Sequence, residues 1–189
     1  NIDRYLEIAE KLGSPILRVV IDTKDHEPNL DEIIGLLKPF ESKFKSLRIK
    51  LAIENHDRLT CAEFNEIVDR LGEDWVGICL DTVNSLGAVE VPRTVIADLA
   101  PRAINVHIKD FEIIRSNSQM GFTVQGTALG EGLLDMADVI SAVGGATREI
   151  SAIIELWTPR QESYEETVAL EDRWAELSVK NLKSAIASA

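Results

Sequence analysis

The feature that most constrains this chain is a rhythm in which short β-rich apolar runs alternate with amphipathic helical stretches. Ile16-Leu17-Arg18-Val19-Val20-Ile21 and residues 48–54, 76–81, 103–109 and 151–156 read as strands. Between and around them, apolar residues at helical spacing mark helices over residues 3–12, 30–40 and 60–71, from Pro92 through Leu99, from Asp135 through Val143, and over 163–186. Thr60-Cys61-Ala62-Glu63 and Ser163 with Glu166 are capping boxes, and Gly13, Gly72 and Gly144-Gly145 serve as stops. Five strands alternating with six helices require a parallel sheet covered by helices, within one α/β domain spanning 1–189. Residues 110–134 are the longest irregular stretch, holding Gly121, Gly126, Gly130 and Gly132, and a connection of that length points to function.

The strands share a second property: four of the five turn polar abruptly at their carboxyl ends. Leu51-Ala52-Ile53 runs into Glu54-Asn55-His56, Val76 to Leu80 meets Asp81, Ala103 to Val106 meets His107, and Ala152-Ile153-Ile154 meets Glu155. In parallel α/β sheets, sites form where the carboxyl ends of the strands and their following loops gather. Singly, an acid there is commonly a helix cap and a histidine a satisfied polar group. Together, three carboxylates and one imidazole make a ligand set for a divalent ion with mixed oxygen and nitrogen preference. Mn2+ comes first, then Mg2+ or Co2+, while Zn2+ usually takes more nitrogen or sulfur.

Further groups cluster nearby in sequence. His56 and Lys109 have the parity of the neighbouring candidate ligands, which places them toward the same cavity as catalytic candidates. The alternative for Lys109-Asp110 is a solvated strand end carrying a surface ion pair. Asn84 is placed to bond a substrate hydroxyl or to form a turn. Arg115 is either a substrate-binding group or a plain loop arginine. Gly130-Glu131-Gly132 sets Glu131 or backbone amides over the mouth of the site, or is a simple turn.

Composition narrows the class. A chain of 189 residues with 45% apolar and 28% charged residues buries a sizeable core. A net charge of −12 without a Lys/Arg cluster disfavours nucleic acid. No apolar run reaches the roughly 20 residues a membrane span needs, and no secretory signal pattern opens the chain. Only two cysteines, Cys61 and Cys79, fit a reducing, cytoplasmic setting.

Ile53-Glu54-Asn55-His56, Cys79-Leu80-Asp81-Thr82-Val83-Asn84-Ser85, Val106-His107-Ile108-Lys109-Asp110-Phe111, Leu129-Gly130-Glu131-Gly132-Leu133 and Ile154-Glu155-Leu156-Trp157 resemble the sugar phosphate isomerase/epimerase family. This is the xylose-isomerase-like TIM-barrel superfamily, which also includes ketose 3-epimerases, inosose dehydratase, hydroxypyruvate isomerase and the endonuclease IV nucleases. The resemblance runs from about Arg4 to Ile186. It implies a (β/α)8 barrel with Glu54, Asp81, His107 and Glu155 as metal ligands, the two glutamates doubling as an acid/base pair. The chain departs from the ketose 3-epimerases at Thr60, where they carry a glutamate, and at Asn84, where they carry a histidine. Three histidines are too few for the zinc nucleases.

The five strands align with the last five of eight, which implies three βα units before Asn1 and an N-terminally truncated, incomplete barrel. Five strands cannot close such a barrel. A longer parent protein is the first explanation, completion by another chain the second, and an open α/β sheet the third. The implied function is a metal-dependent isomerase or epimerase acting on a small keto sugar or related hydroxy-carbonyl compound through an enediolate. A lyase resembling inosose dehydratase, or a non-catalytic carbohydrate-binding remnant, is the alternative. The expected partner is a small-molecule sugar, with no nucleic acid and no membrane, and a homo-oligomer is compatible with the pattern.

Overall fold

The computed structural model describes residues 2–118 and 120–188. It opens with α1 (Ile2–Leu12), β1 (Ile16–Val19) and α2 (Leu30–Leu37), followed by a 3-10 turn and α3 (Glu41–Leu47). Next come β2 (Lys50–Glu54), α4 (Cys61–Leu71), β3 (Val76–Asp81), α5 (Pro92–Leu99) and β4 (Ala103–Ile108). The chain continues through β5 (Asp110–Arg115), β6 (Phe122–Thr127), α6 (Met136–Ala142), β7 (Ser151–Ile154) and α7 (Tyr164–Ser188). Both capping boxes form as the sequence predicts: Thr60 with Glu63 opens α4, and Ser163 exchanges bonds with Glu166 at the start of α7.

Five strands pair in the order β1-β2-β3-β4-β7, all parallel. Their side chains divide by parity. Leu51, Ile53, Ile78, Leu80, Val106 and Ile108 belong to the apolar core that the helices cover, and Leu17 and Val19, partly buried, pack against it. Each such side chain, when fully buried, contributes about 1.5–3 kcal/mol. The opposite parity carries Arg18, Ala52, Glu54, Gly77, Cys79, Asp81, Asn105 and His107, a face of small and polar groups. Gly77 is needed there, because a β-carbon would press on the Ile104 side chain and on the Arg102 carbonyl at 3.1 Å. One face of the sheet therefore holds the fold together and the other is furnished for chemistry.

Two expectations need correction. The helix expected over 30–40 is interrupted: Pro39 sits in a 3-10 turn over Lys38–Phe40, and α3 follows until Arg48 turns left-handed at φ 56°. A proline cannot donate within a helix, so the ladder is reset at that point. The described residues thus hold seven α-helices where six were expected. The stretch 110–134 is not irregular throughout, because β5 and β6 form an antiparallel hairpin. Its glycines disguise it. Gly126 lies in β6 because the Trp157 backbone and side chain pack against it too closely for any β-carbon.

Candidate metal centre

Register brings the four strand-end residues together. Asp81 pairs directly with His107 across β3 and β4. Glu54 is level with Cys79, two residues before Asp81, and His107 is level with Ile153, two residues before Glu155. Even offsets keep all four on one face. Glu155 lies just past β7, yet its amide still donates to the Ile108 carbonyl at 3.0 Å, so the ladder continues to this residue. One ligand atom from each of Glu54, Asp81, His107 and Glu155 lies within 4.8 Å of the others.

The donor atoms are prepared for an ion. His107 Nδ1 and Glu155 Oε2 are buried without a hydrogen-bond partner, and Asp81 Oδ2 is buried beside the Lys109 ammonium, 3.1 Å away. His107 Nδ1 comes within 2.8 Å of Glu155 Oε2, but the two atoms are not aligned for a hydrogen bond. Unpartnered buried groups are costly, and a shared cation would satisfy His107 and Glu155 together while adding to the Lys109 contact at Asp81. The residues therefore fit a divalent ion, with three oxygen donors and one nitrogen. Cys79, one layer below, forms a second grouping with Glu54 and His107. Its thiol donates to Asn105 Oδ1 at 3.1 Å, and burial followed by the Glu54 charge pushes its pKa up, so it remains protonated.

Supporting residues fix these four side chains. Asp81 Oδ1 accepts from the amides of Val83 and Asn84, both at 2.9 Å, which turns Oδ2 inward. Asn55 receives the Asp81 N–H on Oδ1 at 2.7 Å and donates from Nδ2 to the Asp81 carbonyl and to Ser85, each at 2.9 Å. Asn84 Nδ2 donates to Glu54 Oε1 at 3.1 Å, and Arg18 Nη1 donates to Glu54 Oε2 at 2.6 Å. Lys109 Nζ is enclosed by Asn84 Oδ1 at 3.0 Å, Asp81 Oδ2 at 3.1 Å and Glu155 Oε1 at 3.3 Å. Burial disfavours its ammonium, but the charges of Asp81 and Glu155 more than offset that and hold its pKa above the ordinary value.

The sequence candidates separate accordingly. His56, Asn84, Lys109 and Glu155 line one cleft of roughly 300 Å3 together with Val124 of the hairpin and Trp157. His56 sits at its rim, 3.4 Å from Asp57. Lys109-Asp110 is not the solvated strand end offered as its alternative reading, since Lys109 is enclosed and Asp110 is buried. Glu131 is exposed and is not among the lining residues of that cleft. The amides of Gly130 and Gly132 do not face a mouth either, because both donate to Asp110 Oδ2, at 2.8 and 3.0 Å. Arg115 lies in the hairpin with its guanidinium 5.9 Å from the Phe122 ring centre, away from the four ligands in the described lining. Arg18 and Asp110 are the organising residues that sequence reading missed. For Arg18 the available signal was parity: it shares the face of Ala52, its register partner, and hence of Glu54.

Residues 1–178 match the family described as xylose isomerase-like TIM barrel. The chain belongs to that family. It is 36% identical over 182 residues to 3-oxo-isoapionate decarboxylase of Pectobacterium atrosepticum, covering 96% of this chain and 66% of that protein. Among solved structures, that of L-ribulose 3-epimerase aligns with a TM-score of 0.72 at 15% identity, covering 99% of this chain and 66% of that one. The IOLI protein with a bound zinc atom aligns with a TM-score of 0.70 at 18% identity, covering 98% and 67%. At those identities the structures establish the fold, which is α/β and TIM-barrel-like. The chain thus spans about two thirds of the length of each of these three proteins.

Proposed function

We propose that this chain carries the metal centre of an enzyme that forms and quenches an enediolate on a small polyhydroxylated carbonyl compound. In this reading its five parallel strands are the last five of a (β/α)8 barrel, and its substrate is a small sugar-derived molecule. The observation that carries the proposal is the convergence of buried donor atoms of Asp81, His107 and Glu155 beside Glu54, those of His107 and Glu155 lacking a hydrogen-bond partner. These residues would hold the divalent ion, Mn2+ first and Mg2+, Co2+ or Zn2+ as alternatives, and the zinc bound by the IOLI protein supports such a site. A cation there would polarise a carbonyl and its neighbouring hydroxyl, acidifying the α-carbon.

The chain's own residues do the rest. Glu155 borders the cleft while Glu54 lies across the cluster, so one carboxylate can take a proton from carbon and the other return one. Lys109, between Asp81 and Glu155, sits where negative charge would gather on the substrate oxygen. His56 at the rim offers a proton relay near neutral pH. Asn84, already bonded to Glu54 and Lys109, is positioned for a substrate hydroxyl.

Isomerisation or epimerisation is one outlet of this chemistry, and the L-ribulose 3-epimerase fold likeness accommodates it. The similarity to 3-oxo-isoapionate decarboxylase favours a second outlet. A 3-oxo acid loses CO2 when its C–C bond breaks and the electron pair moves into the enolate. Proton return to carbon then completes the reaction, with no oxidant or reductant. The test is to incubate full-length, metal-loaded protein in D2O with keto sugars and with 3-oxo sugar acids, following deuterium uptake and CO2 release. Deuterium entry or CO2 release that disappears in Glu155→Gln supports the reading. Neither signal across both panels, with metal content established, rejects it.

A further inference from the structure

Lys109 is held at both ends by residues at the close of β3. Thr82 Oγ1 accepts from the Lys109 amide at 2.9 Å and donates to the Lys109 carbonyl at 2.8 Å. At the tip, Asn84 Oδ1 accepts from Nζ at 3.0 Å, while Asp81 Oδ2 lies 3.1 Å and Glu155 Oε1 3.3 Å away. The Asn84 amide extends the link to a third carboxylate, because its Nδ2 donates to Glu54 Oε1 at 3.1 Å. One ammonium therefore bears on every acid of the centre, with its side chain only 12% exposed. Lys109 follows β4, which has β3 on one side and β7 on the other, so its setting does not depend on an open edge of the sheet.

A lysine so placed contends with a divalent ion for one oxygen. Asp81 Oδ1 is already taken by the amides of Val83 and Asn84, which leaves Oδ2, the oxygen beside Lys109. Two cations on one carboxylate oxygen, with little water to screen them, repel strongly. Asp81 does not need the lysine to keep its orientation, since the two amides fix its carboxylate and Asn55 brackets its backbone. Asn84 can retain Nζ when Asp81 releases it, and Asn84 and Lys109 both line the cleft.

We propose that Lys109 is an exchangeable counter-cation of the metal centre, neutralising Asp81 and Glu155 in metal-free protein and yielding Asp81 Oδ2 on loading. On Asn84 it then turns toward the cleft. This rests on the metal-centred reading above and adds a control to the same site: the ammonium is released to meet a substrate oxygen once the ion is in place. A compact charge on a flexible four-carbon stem suits such an exchange better than the planar fork of an arginine.

The test uses full-length protein, wild type and Lys109→Met, which keeps the reach of the side chain without its charge. Calorimetric titration should show the variant binding Mn2+ about tenfold tighter than the wild type, because a like charge has gone from beside the ion. In urea the variant should be less stable than the wild type with EDTA present, and the gap should close at saturating Mn2+. Should the variant not fold, the wild type decides alone. Its crystal structure with Mn2+ should place Nζ beyond hydrogen-bond distance of Asp81 Oδ2 and still on Asn84 Oδ1. Equal or weaker Mn2+ binding by the folded variant overturns the proposal, as does a stability gap that Mn2+ leaves unchanged. So does an Nζ that stays on Asp81 Oδ2 beside bound Mn2+. Those results leave the metal-centred reading standing, whereas a wild type that binds no Mn2+ removes both together.

Discussion

The side chain of Asn55 brackets the backbone of Asp81, accepting its N–H at 2.7 Å and donating to its carbonyl at 2.9 Å. A primary amide here does what a neighbouring strand would do, at the point where the β2 and β3 ladder has ended. Asn55→Ala would strand both groups in a fully buried place, together with the Ser85 hydroxyl. Each buried group left unpaired costs about 1–3 kcal/mol, so a loss of about 3 kcal/mol or more in urea unfolding is expected. Metal affinity should fall about 10- to 100-fold, as for other partners that orient a ligand. Unchanged unfolding and metal titration in this variant would contradict the assigned role.

Glu155→Gln separates metal binding from folding. In the wild type, a cation at about a hundred times its dissociation constant should raise stability by about 2.7 kcal/mol, or roughly 5–10 °C for a chain of this size. The variant removes one of three clustered negative charges and with it a partner of Lys109, so the two effects oppose and its metal-free melting temperature should change little. Its metal-induced rise should largely vanish. Differential scanning calorimetry with and without EDTA reads both quantities.

Gly126→Ala should disturb the cleft from behind, because its β-carbon would collide with the Trp157 carbonyl and side chain. Backbone against backbone leaves little room to relax, and a cost of about 1–3 kcal/mol is expected. Trp157 and Val124 both line the cleft, so KM for any turned-over substrate should rise more than kcat falls. Wild-type kinetics in this variant would show that the hairpin does not shape the cleft.

Cys61 sets an alkaline limit. Burial first, then the bond and charge of Glu90, push its thiol from 9.0 up to about 12. Between those values the unfolded chain releases a proton that the folded chain keeps, so stability must fall as pH rises from about 9 toward 12. Other groups titrate in that window, so the measurement is the difference between wild type and Cys61→Ala in urea midpoints from pH 8 to 11. The wild type should lose stability with pH more steeply.

Sequence reading reached the sheet and the strand ends where four acidic or imidazole side chains converge because both follow from period: apolar runs of strand length, and a change of character at one parity. The core residues Leu51, Ile53, Ile78 and Leu80 and the positions of Glu54, Asp81, His107 and Glu155 were legible for that reason. Arg18 was hidden because a charged residue inside a strand looks the same whether it faces solvent or a carboxylate 36 positions away. The hairpin was hidden because Gly126 answers to the distant Trp157 and not to any local turn. Asp110 followed a lysine, so the pair resembled a surface ion pair, whereas the two side chains point to opposite faces and never meet as partners.

Asp110 has one more consequence. Its two oxygens accept from the amides of Phe111, Gly130, Gly132 and Leu134 at 2.8 to 3.0 Å. A glycine-rich turn with converging N–H groups is the arrangement proteins use to cradle a phosphate. Here the chain fills that cradle with a carboxylate of its own. That carboxylate ties the turn at residues 130–134 to the first residue of β5, so the return from the hairpin is anchored from within the chain.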